Sequence, residues 1–469
     1  MPAVSGTIAR ADDASPKNII VMIADGSGAN TLDATRFWNG EPLVMDGPDW
    51  TPLFQATSGL RSGRRPMPGV SALEQSPLHA YDPARLYDST PVEGERGNYP
   101  NGFAGYEWHR RTAPDSAGTM SQMMTGVITY NGAINVDGMG RPVTSAAEYA
   151  HRSGKAVGAV STVPYSHATP AAGGGAHNVD RGDYHAITAE ILRSGVVDVY
   201  GGGGHPEFDN DGRPRETTYQ CITEGDWQSL KLGMFNDDFG RHWTLVDDTD
   251  EIKALAEGDV PLPVMIVPKV AETLQARRKH ELSNEAAPGD EAKSQGLPTL
   301  LDLVRAGLNG VDDDPDGFFL VIEGGAVDWA MHDNRLGRAI EEYSEFNDAV
   351  ALVSAYLDAG TNGNDWSNTL VVVTADHDHL LFGPDGDTVP FQPLVDNGAG
   401  NMPGYRWFGN GHSNQLVPLF VRGAGAERIV EIATDDDKFD DGTHQFGRGK
   451  YLHQSELGQF LTGTLRNAE

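Results

Sequence analysis

The sequence has 469 residues, a mass of 50.4 kDa, a formal net charge of −32 and a sequence pI of about 4.7. A chain of this length can bury a large core, as one big α/β domain or as two smaller domains. The acidic balance argues against nucleic acid and anionic membranes as partners, because both require a basic surface, and no apolar run approaches the length that crosses a bilayer.

Short apolar runs rich in β-branched residues predict buried parallel strands. In chain order they are residues 19–24, 156–161, 196–200, 318–322, 369–374 and 416–421. Helical patterns lie between them, for example at 184–194, 336–359 and 454–462. This alternation indicates an α/β fold, a three-layer sandwich with a central, mostly parallel sheet flanked by helices. Ligands bind such sheets beyond the carboxyl ends of the strands, so the polar residues there are the site candidates.

Two regions interrupt the alternation. Residues 57–112 are rich in glycine, proline and arginine, and residues 203–298 begin within the glycine run 201–204 and include a charged run at 279–291. We expect both regions to be insertions that fold over the sheet edge as crown or interface elements. No separate domain boundary is visible.

The dipeptide Asp115-Ser116 stands directly before the helix-like run 120–125. Serine is a poor nucleophile unless its pKa is lowered or its proton is taken. Taken alone, an Asp-Ser pair is more often a helix cap. Metal-binding patterns elsewhere in the chain favour a serine activated by metal rather than by histidine.

Carboxylates and a histidine follow the first and fourth predicted strands. Asp25-Gly26 ends the first strand, although Asp-Gly is also a common turn. Glu323 ends the fourth, and Asp328 and His332 lie one helical turn apart on one face. Carboxylates suit hard cations, whereas imidazole together with carboxylate suits zinc.

The fifth predicted strand ends in Asp376 and His377, which offer two metal ligands from one turn. The next residues, Asp378 and His379, either support those ligands or are merely exposed. His412 stands between glycine and serine just before the last strand, in a similar setting.

The second predicted strand is followed by His167 and Thr169, whose side chains point the same way if the chain is extended. Beyond them lies Arg181, whose planar guanidinium can bind two phosphate oxygens at once. Read singly, Arg181 is more often a surface arginine.

Together these stretches resemble the alkaline phosphatase family. The motifs that carry the resemblance are Asp25-Gly26, Asp115-Ser116-Ala117, His167-Ala168-Thr169-Pro170-Ala171, Glu323…Asp328…His332, Thr374-Ala375-Asp376-His377 and Gly411-His412. Their order and local spacing match the family, and the resemblance covers the chain apart from the two insertions. It implies a single catalytic domain over residues 1–469.

The resemblance implies two Zn²⁺ ions and one Mg²⁺ ion. One zinc would be held by Asp328, His332 and His412. The second zinc would be held by Asp25, Asp376, His377 and the Ser116 oxygen. The magnesium would be held by Asp25, Thr169 and Glu323, with His167 contacting it or its water shell.

The implied activity is hydrolysis of phosphate monoesters through a phosphoserine at Ser116, with Asp115 and Arg181 binding the substrate. Arg181 would also hold the non-transferred oxygens during catalysis. Two alternatives are a phosphodiesterase or related hydrolase of the same superfamily, and a metal-binding protein without turnover. The resemblance further implies a homodimer and a periplasmic or secreted location, although no signal peptide is visible. The acidic, lysine-poor composition hints at a salty habitat.

Overall fold

The computed structural model describes residues 15–75, 80–94, 97–440, 442 and 445–466. Its strands are β1 (Asn18–Ile23), β2 (Thr51–Ala56), β3 (Ala156–Pro164), β4 (Val199–Gly203), β5 (Thr244–Val246), β6 (Val264–Ile266), β7 (Phe318–Glu323), β8 (Thr369–Thr374), β9 (Asp378–Phe382), β10 (Arg406–Ser413), β11 (Val417–Gly423), β12 (Asp435–Asp440) and β13 (Gln445–His453).

The helices are α1 (Ala29–Asn39), α2 (Ala72–Gln75), α3 (Pro83–Leu86), α4 (Ala104–Thr112), α5 (Ser116–Thr125), α6 (Ala146–Arg152), α7 (Ala168–Gly173), α8 (Tyr184–Arg193), α9 (Glu224–Lys231), α10 (Thr249–Ala254), α11 (Leu300–Val311), α12 (Ala326–His332), α13 (Leu336–Asp358), α14 (Ala426–Ile432) and α15 (Gln454–Arg466). Short 3₁₀ turns lie at Val44–Asp46 and Thr361–Gly363. Within the described residues, no helix is both long and apolar enough to span a bilayer.

Eleven strands form one sheet in the order β12-β13-β2-β11-β8-β1-β7-β3-β4-β6-β5. The strands from β8 to β5 in this order are parallel to one another, with β1 between β7 and β8. This confirms the predicted α/β class and the mostly parallel sheet. Because β1, β7 and β8 are neighbours, their carboxyl ends lie together at one edge.

The strand predicted at 416–421 is wrong in direction. It corresponds to β11, which is antiparallel to both β8 and β2. The hairpin of β9 and β10 follows the carboxyl end of β8, and β11 begins only a few residues after it. A parallel return would need the chain to cross back over the sheet, usually through a helix, whereas residues 375–416 contain this hairpin and no helix.

Alternation within β1 explains why the sheet is covered on both faces. Ile19, Val21 and Ile23 pack into the hydrophobic core on one face. Ile20 and Met22 pack into the core on the other, and all five side chains are fully buried. Burial of each such side chain contributes about 1.5–3 kcal/mol, so the central strands form a rigid base for the residues that follow them.

The two regions predicted as insertions behave differently. Residues 203–298 supply β5 and β6, which extend the central sheet beyond β4. Residues 57–112 supply α2, α3 and α4, and Tyr87 of this region donates to Asp437 of β12 over 2.8 Å. Their crown or interface role, and the single domain over 1–469, stay predictions. Parts of these predicted ranges, namely 1–14, 76–79, 95–96, 441, 443–444 and 467–469, lie outside the described residues.

Candidate active site

Helix α5 begins at Ser116, and Asp115 is its N-cap. One carboxylate oxygen of Asp115 accepts from the N–H groups of Gly118 (3.0 Å) and Gly132 (2.8 Å). The helix-cap interpretation of the Asp-Ser pair is therefore correct in geometry. The cap also fixes Ser116 at the positive end of the helix dipole, where negative charge is stabilised.

The Ser116 hydroxyl points at residues that follow two neighbouring strands. Its Oγ lies 3.2 Å from Nε2 of His377, which follows β8, and 3.5 Å from Oδ1 of Asp25, which follows β1. The turn between Asp25 and α1 depends on Gly26, whose φ is +74°. A Cβ at Gly26 would lie 2.9 Å from the Cα of Asp328, so no other residue fits there.

Three buried acids, of which Asp25 contacts Ser116, form what we call the carboxylate half of the site: Asp25, Glu323 and Asp376. Nε2 of His377 lies 3.3 Å from an oxygen of Asp25 and 3.3 Å from an oxygen of Asp376. Burial raises the pKa of Glu323 to about 7, and burial followed by the neighbouring carboxylates raises the pKa of Asp25 well above its ordinary value. Several negative charges buried close together favour the binding of a cation.

A second cluster, the histidine half, consists of Asp328, His332, His379 and His412. Oδ1 of Asp328 lies 2.8 Å from Nε2 of His379, 3.3 Å from that of His412 and 3.4 Å from that of His332. Although burial opposes ionisation, these imidazoles hold the pKa of Asp328 well below its ordinary value.

The backbone sets the tautomers of two of these histidines. Nδ1 of His332 lies 2.6 Å from the carbonyl oxygen of Asn410, and Nδ1 of His412 lies 2.8 Å from that of Pro114. A carbonyl only accepts, so in the neutral rings Nδ1 carries the proton and Nε2 carries the lone pair. The two Nε2 atoms face each other at 2.9 Å, which is the arrangement a shared metal ion requires.

Arg181 is held beside Ser116 by two contacts. Its Nη1 donates to Asp115 over 3.1 Å, and its Nη2 donates to Nε2 of His167 over 3.1 Å. Burial, and then Arg181, lower the pKa of His167 to about 3, so its ring is neutral and able to accept. An adjoining cavity of about 340 Å³ is lined by residues that include Asp115, His332 and His412.

A family model described as alkaline phosphatase matches residues 86–399. The chain belongs to the alkaline phosphatase family. The resemblance predicted from the sequence motifs is thereby confirmed.

Relatives within the alkaline phosphatase family are distant in sequence. Alkaline phosphatase 3 of Bacillus subtilis is 25% identical over 366 residues, which are 77% of this chain and 61% of that relative. The chain spans only 56% to 62% of the length of three such relatives. They are Alkaline phosphatase 3 and Alkaline phosphatase 4 of Bacillus subtilis and Alkaline phosphatase 4 of Drosophila melanogaster.

Solved alkaline phosphatase structures share the fold. The enzyme of the Antarctic bacterium TAB5 superposes with a TM-score of 0.61 at 19% identity, covering 97% of this chain and 100% of that one. A variant of that enzyme, solved with Mg bound in its M3 site, gives a TM-score of 0.58 at 18% identity, covering 96% of this chain and 98% of that one.

The metal ligands that alkaline phosphatase family membership implies can be tested against the donor atoms present. The described residues contain two groups of possible metal ligands, and within each group the ligand atoms lie within 4.8 Å of one another. The first group is Asp328, His377, His379 and His412, and the second, which shares His377, is Asp25, Asp376 and His377. Several buried oxygens have no hydrogen-bond partner in the described part of the chain, and Asp25 Oδ2, Thr169 Oγ1 and Glu323 Oε1 are among them. These are the three residues predicted for magnesium, so the donor set fits.

Two predicted residues lie in settings that the sequence does not indicate. His379, considered either supporting or exposed, is fully buried and contacts Asp328 directly. The signal that was missed is the apolar run at 380–382, directly after His379, and all five residues of that strand are buried. His167 contacts Arg181 through Nε2, and its contact with a third metal stays a prediction.

Proposed function

We propose that this member of the alkaline phosphatase family hydrolyses phosphate monoesters, with Ser116 as the nucleophile. The observation that carries the proposal is the position of Ser116 Oγ, 3.2 Å from His377 and 3.5 Å from Asp25 at the N-terminus of α5. A serine in contact with predicted metal ligands, with an arginine fixed beside it, suits in-line attack on phosphorus.

In the proposed reaction the chain's residues act in two displacements. Ser116 Oγ attacks phosphorus, and the Oγ–P bond forms as the bond to the leaving alcohol oxygen breaks. Arg181 binds two non-transferred oxygens through its planar guanidinium, while Asp115 keeps that group in place. Water then cleaves the phosphoserine and releases inorganic phosphate. Two in-line displacements give net retention of configuration at phosphorus.

The proposed cofactors are two Zn²⁺ ions and one Mg²⁺ ion. Asp328, His332 and His412 would hold one zinc; Asp25, Asp376, His377 and the Ser116 oxygen the other; and Asp25, Thr169 and Glu323 the magnesium. Such ions lower the pKa of a bound hydroxyl and stabilise charge on the attacking and leaving oxygens. The facing Nε2 atoms of His332 and His412 and the unpartnered oxygens of the carboxylate half support this assignment.

The test compares an aryl phosphate monoester with the matching diester, between pH 7 and 10, before and after chelation. We expect rapid monoester cleavage that is lost on chelation and restored by zinc plus magnesium. Dominant diester cleavage would move the function to a phosphodiesterase, and no turnover of either would favour a metal-binding protein. The homodimer, the periplasmic or secreted location and the salt adaptation stay predictions.

A further inference from the structure

Two arginines line the cavity beside the histidine half. Arg64 and Arg110 border the same space of about 340 Å³ as His332 and His412. Both come from the region 57–112, which the motifs of the family do not include. In a chain with a net charge of −32, two cations at the entrance to this site create a local field that opposes the overall charge.

Neither arginine is strongly engaged within the protein. Arg64 is exposed, and no carboxylate in the described part of the chain pairs with it. Its Cβ lies beside Gly132, whose N–H donates a hydrogen bond to Asp115. Arg110 Nη1 lies 3.4 Å from Glu107 Oε1, but pairs as exposed as this one contribute only about 0–1 kcal/mol. Both guanidinium groups are therefore available to a ligand.

The cavity is large enough for a compact organic group. At about 340 Å³ it lies at the small end of the size range of small-molecule sites, roughly 300–1,000 Å³. Neither Ser116 nor Arg181 lines the cavity, which reaches their neighbour Asp115, so a phosphoryl group held between them leaves the cavity free for a compact leaving group in front of Arg64 and Arg110. Arginine matches the geometry of carboxylates and phosphates through paired N–H donors.

We propose that Arg64 and Arg110 bind a second anionic group, a carboxylate or a phosphate, on the leaving group of the substrate. The preferred substrates are then compact phosphate monoesters with two anionic groups. This assignment rests on the proposed phosphomonoesterase function and deepens it. It makes the two arginines specificity determinants of the site.

Binding of two non-hydrolysable ligands tests the assignment. We would titrate the zinc- and magnesium-loaded protein with 3-phosphonopropionate and with propylphosphonate, which differ only in a terminal carboxylate or methyl group. The wild type should bind 3-phosphonopropionate more tightly by on the order of 10-fold, about 1.4 kcal/mol. In the variant R64Q/R110Q this preference should fall to about 2-fold or less.

The matched control is R65Q/R111Q, which removes the same charge from the adjacent residues in sequence. Arg65 and Arg111 are exposed and do not line the cavity, so the preference should persist. Repeating the titration with 1,2-ethanediphosphonate, which has a phosphonate in place of the carboxylate, separates the two sources: a stronger gain than with the carboxylate assigns a phosphate, and a weaker gain assigns a carboxylate.

Equal wild-type affinity for the paired ligands, or a preference that survives R64Q/R110Q, would overturn the assignment. Because neither ligand is hydrolysed, this result does not depend on turnover. Hydrolysis of the aryl phosphate by the same preparation decides the proposed function separately, so the two failures are distinguishable.

Discussion

The carboxylate half and the histidine half of the site are neighbours, yet their electrostatics are opposite. In the histidine half a single carboxylate, Asp328, is surrounded by imidazoles that lower its pKa. In the carboxylate half burial and mutual repulsion raise the pKa values of Asp25 and Glu323. Burial also lowers the pKa of His377, which lies between the halves, well below its ordinary value, so its ring adds no positive charge.

The difference shows how each half depends on cations. Protein groups already compensate Asp328, and backbone carbonyls hold His332 and His412 in position. The carboxylate half has unpartnered oxygens on Asp25 and Glu323 and lacks comparable compensation among the described residues. Removal of metal should therefore disturb the carboxylate half far more than the histidine half.

The largest expected effect is on chemistry rather than on either half. Ser116→Ala should lower kcat/KM for an aryl phosphate by at least about 10³-fold, because the nucleophile is lost. Bound zinc and magnesium, measured by atomic emission, should stay close to wild type, since the Ser116 oxygen is the one proposed protein ligand that is lost and Asp25, Asp376 and His377 stay in place. The control Ser121→Ala changes a buried serine of the same helix, which donates to the Ala133 carbonyl. Comparable activity of Ser116→Ala and the wild type would refute the proposed mechanism.

Arg181 lies outside both halves, and its replacement should separate substrate binding from metal binding. Arg181→Lys keeps the charge but loses the planar pair of donors, so kcat/KM should fall by about 10- to 100-fold. The control Arg141→Lys alters an exposed arginine that pairs with Asp137. A loss of metal content that parallels the loss of activity would assign Arg181 to the halves instead.

Charge removal in the two halves should act in opposite directions on the metal-free protein. Glu323→Gln should raise its free energy of unfolding by about 1–2 kcal/mol, because one of several crowded acids becomes neutral. Asp328→Asn should lower it by a similar or larger amount, because the partner of His379 is lost. Denaturant unfolding after chelation measures both.

Glu342→Gln is the control for removing a buried acid away from the site. Burial raises the pKa of Glu342 to about 8, so this change should stabilise the protein to the same extent with and without metals. If Glu323→Gln and Asp328→Asn shift the free energy of unfolding of the metal-free protein in the same direction, the two halves do not have opposite electrostatics.

Much of the site could be predicted because parallel strands end together. Asp25 follows β1, Glu323 ends β7 and Asp376 follows β8, and the apolar run before each residue is visible in the sequence. The order β8-β1-β7, however, arises from tertiary packing, and no local pattern encodes it. The sequence pattern alone therefore does not predict that these three acids lie together, and the family motifs supply that information.

Other features depend on chain returns that local patterns do not describe. The direction of β11 and the burial of His379 both follow from the β9–β10 hairpin, which directs the chain back over the end of the sheet. Arg64 and Arg110 come from a region with little apolar periodicity, so their meeting at the cavity could not be read from spacing. The position of a loop depends on the residues it packs against, and local sequence patterns do not predict those contacts.

The smallest expected effect is on the pH dependence of stability, and it concerns His177, a histidine outside both halves that contacts two carboxylates. His177 links α6 to α8: its Nε2 lies 3.3 Å from Glu148 and its Nδ1 lies 2.9 Å from Glu190. Although burial opposes it, these contacts raise the pKa of His177 to about 10. The folded pKa exceeds the unfolded value of about 6.5, so the stabilisation is full below that pH and is lost as pH rises towards 10.

Replacement of this histidine should therefore matter most in mildly acidic solution. At pH 6, His177→Gln should unfold more easily than the wild type by on the order of 1 kcal/mol, and the difference should shrink as pH approaches 10. Thermal unfolding across this range measures it, with His151→Gln, an exposed position on α6, as the control. A difference that grows with pH would mean that His177 is neutral in the folded protein.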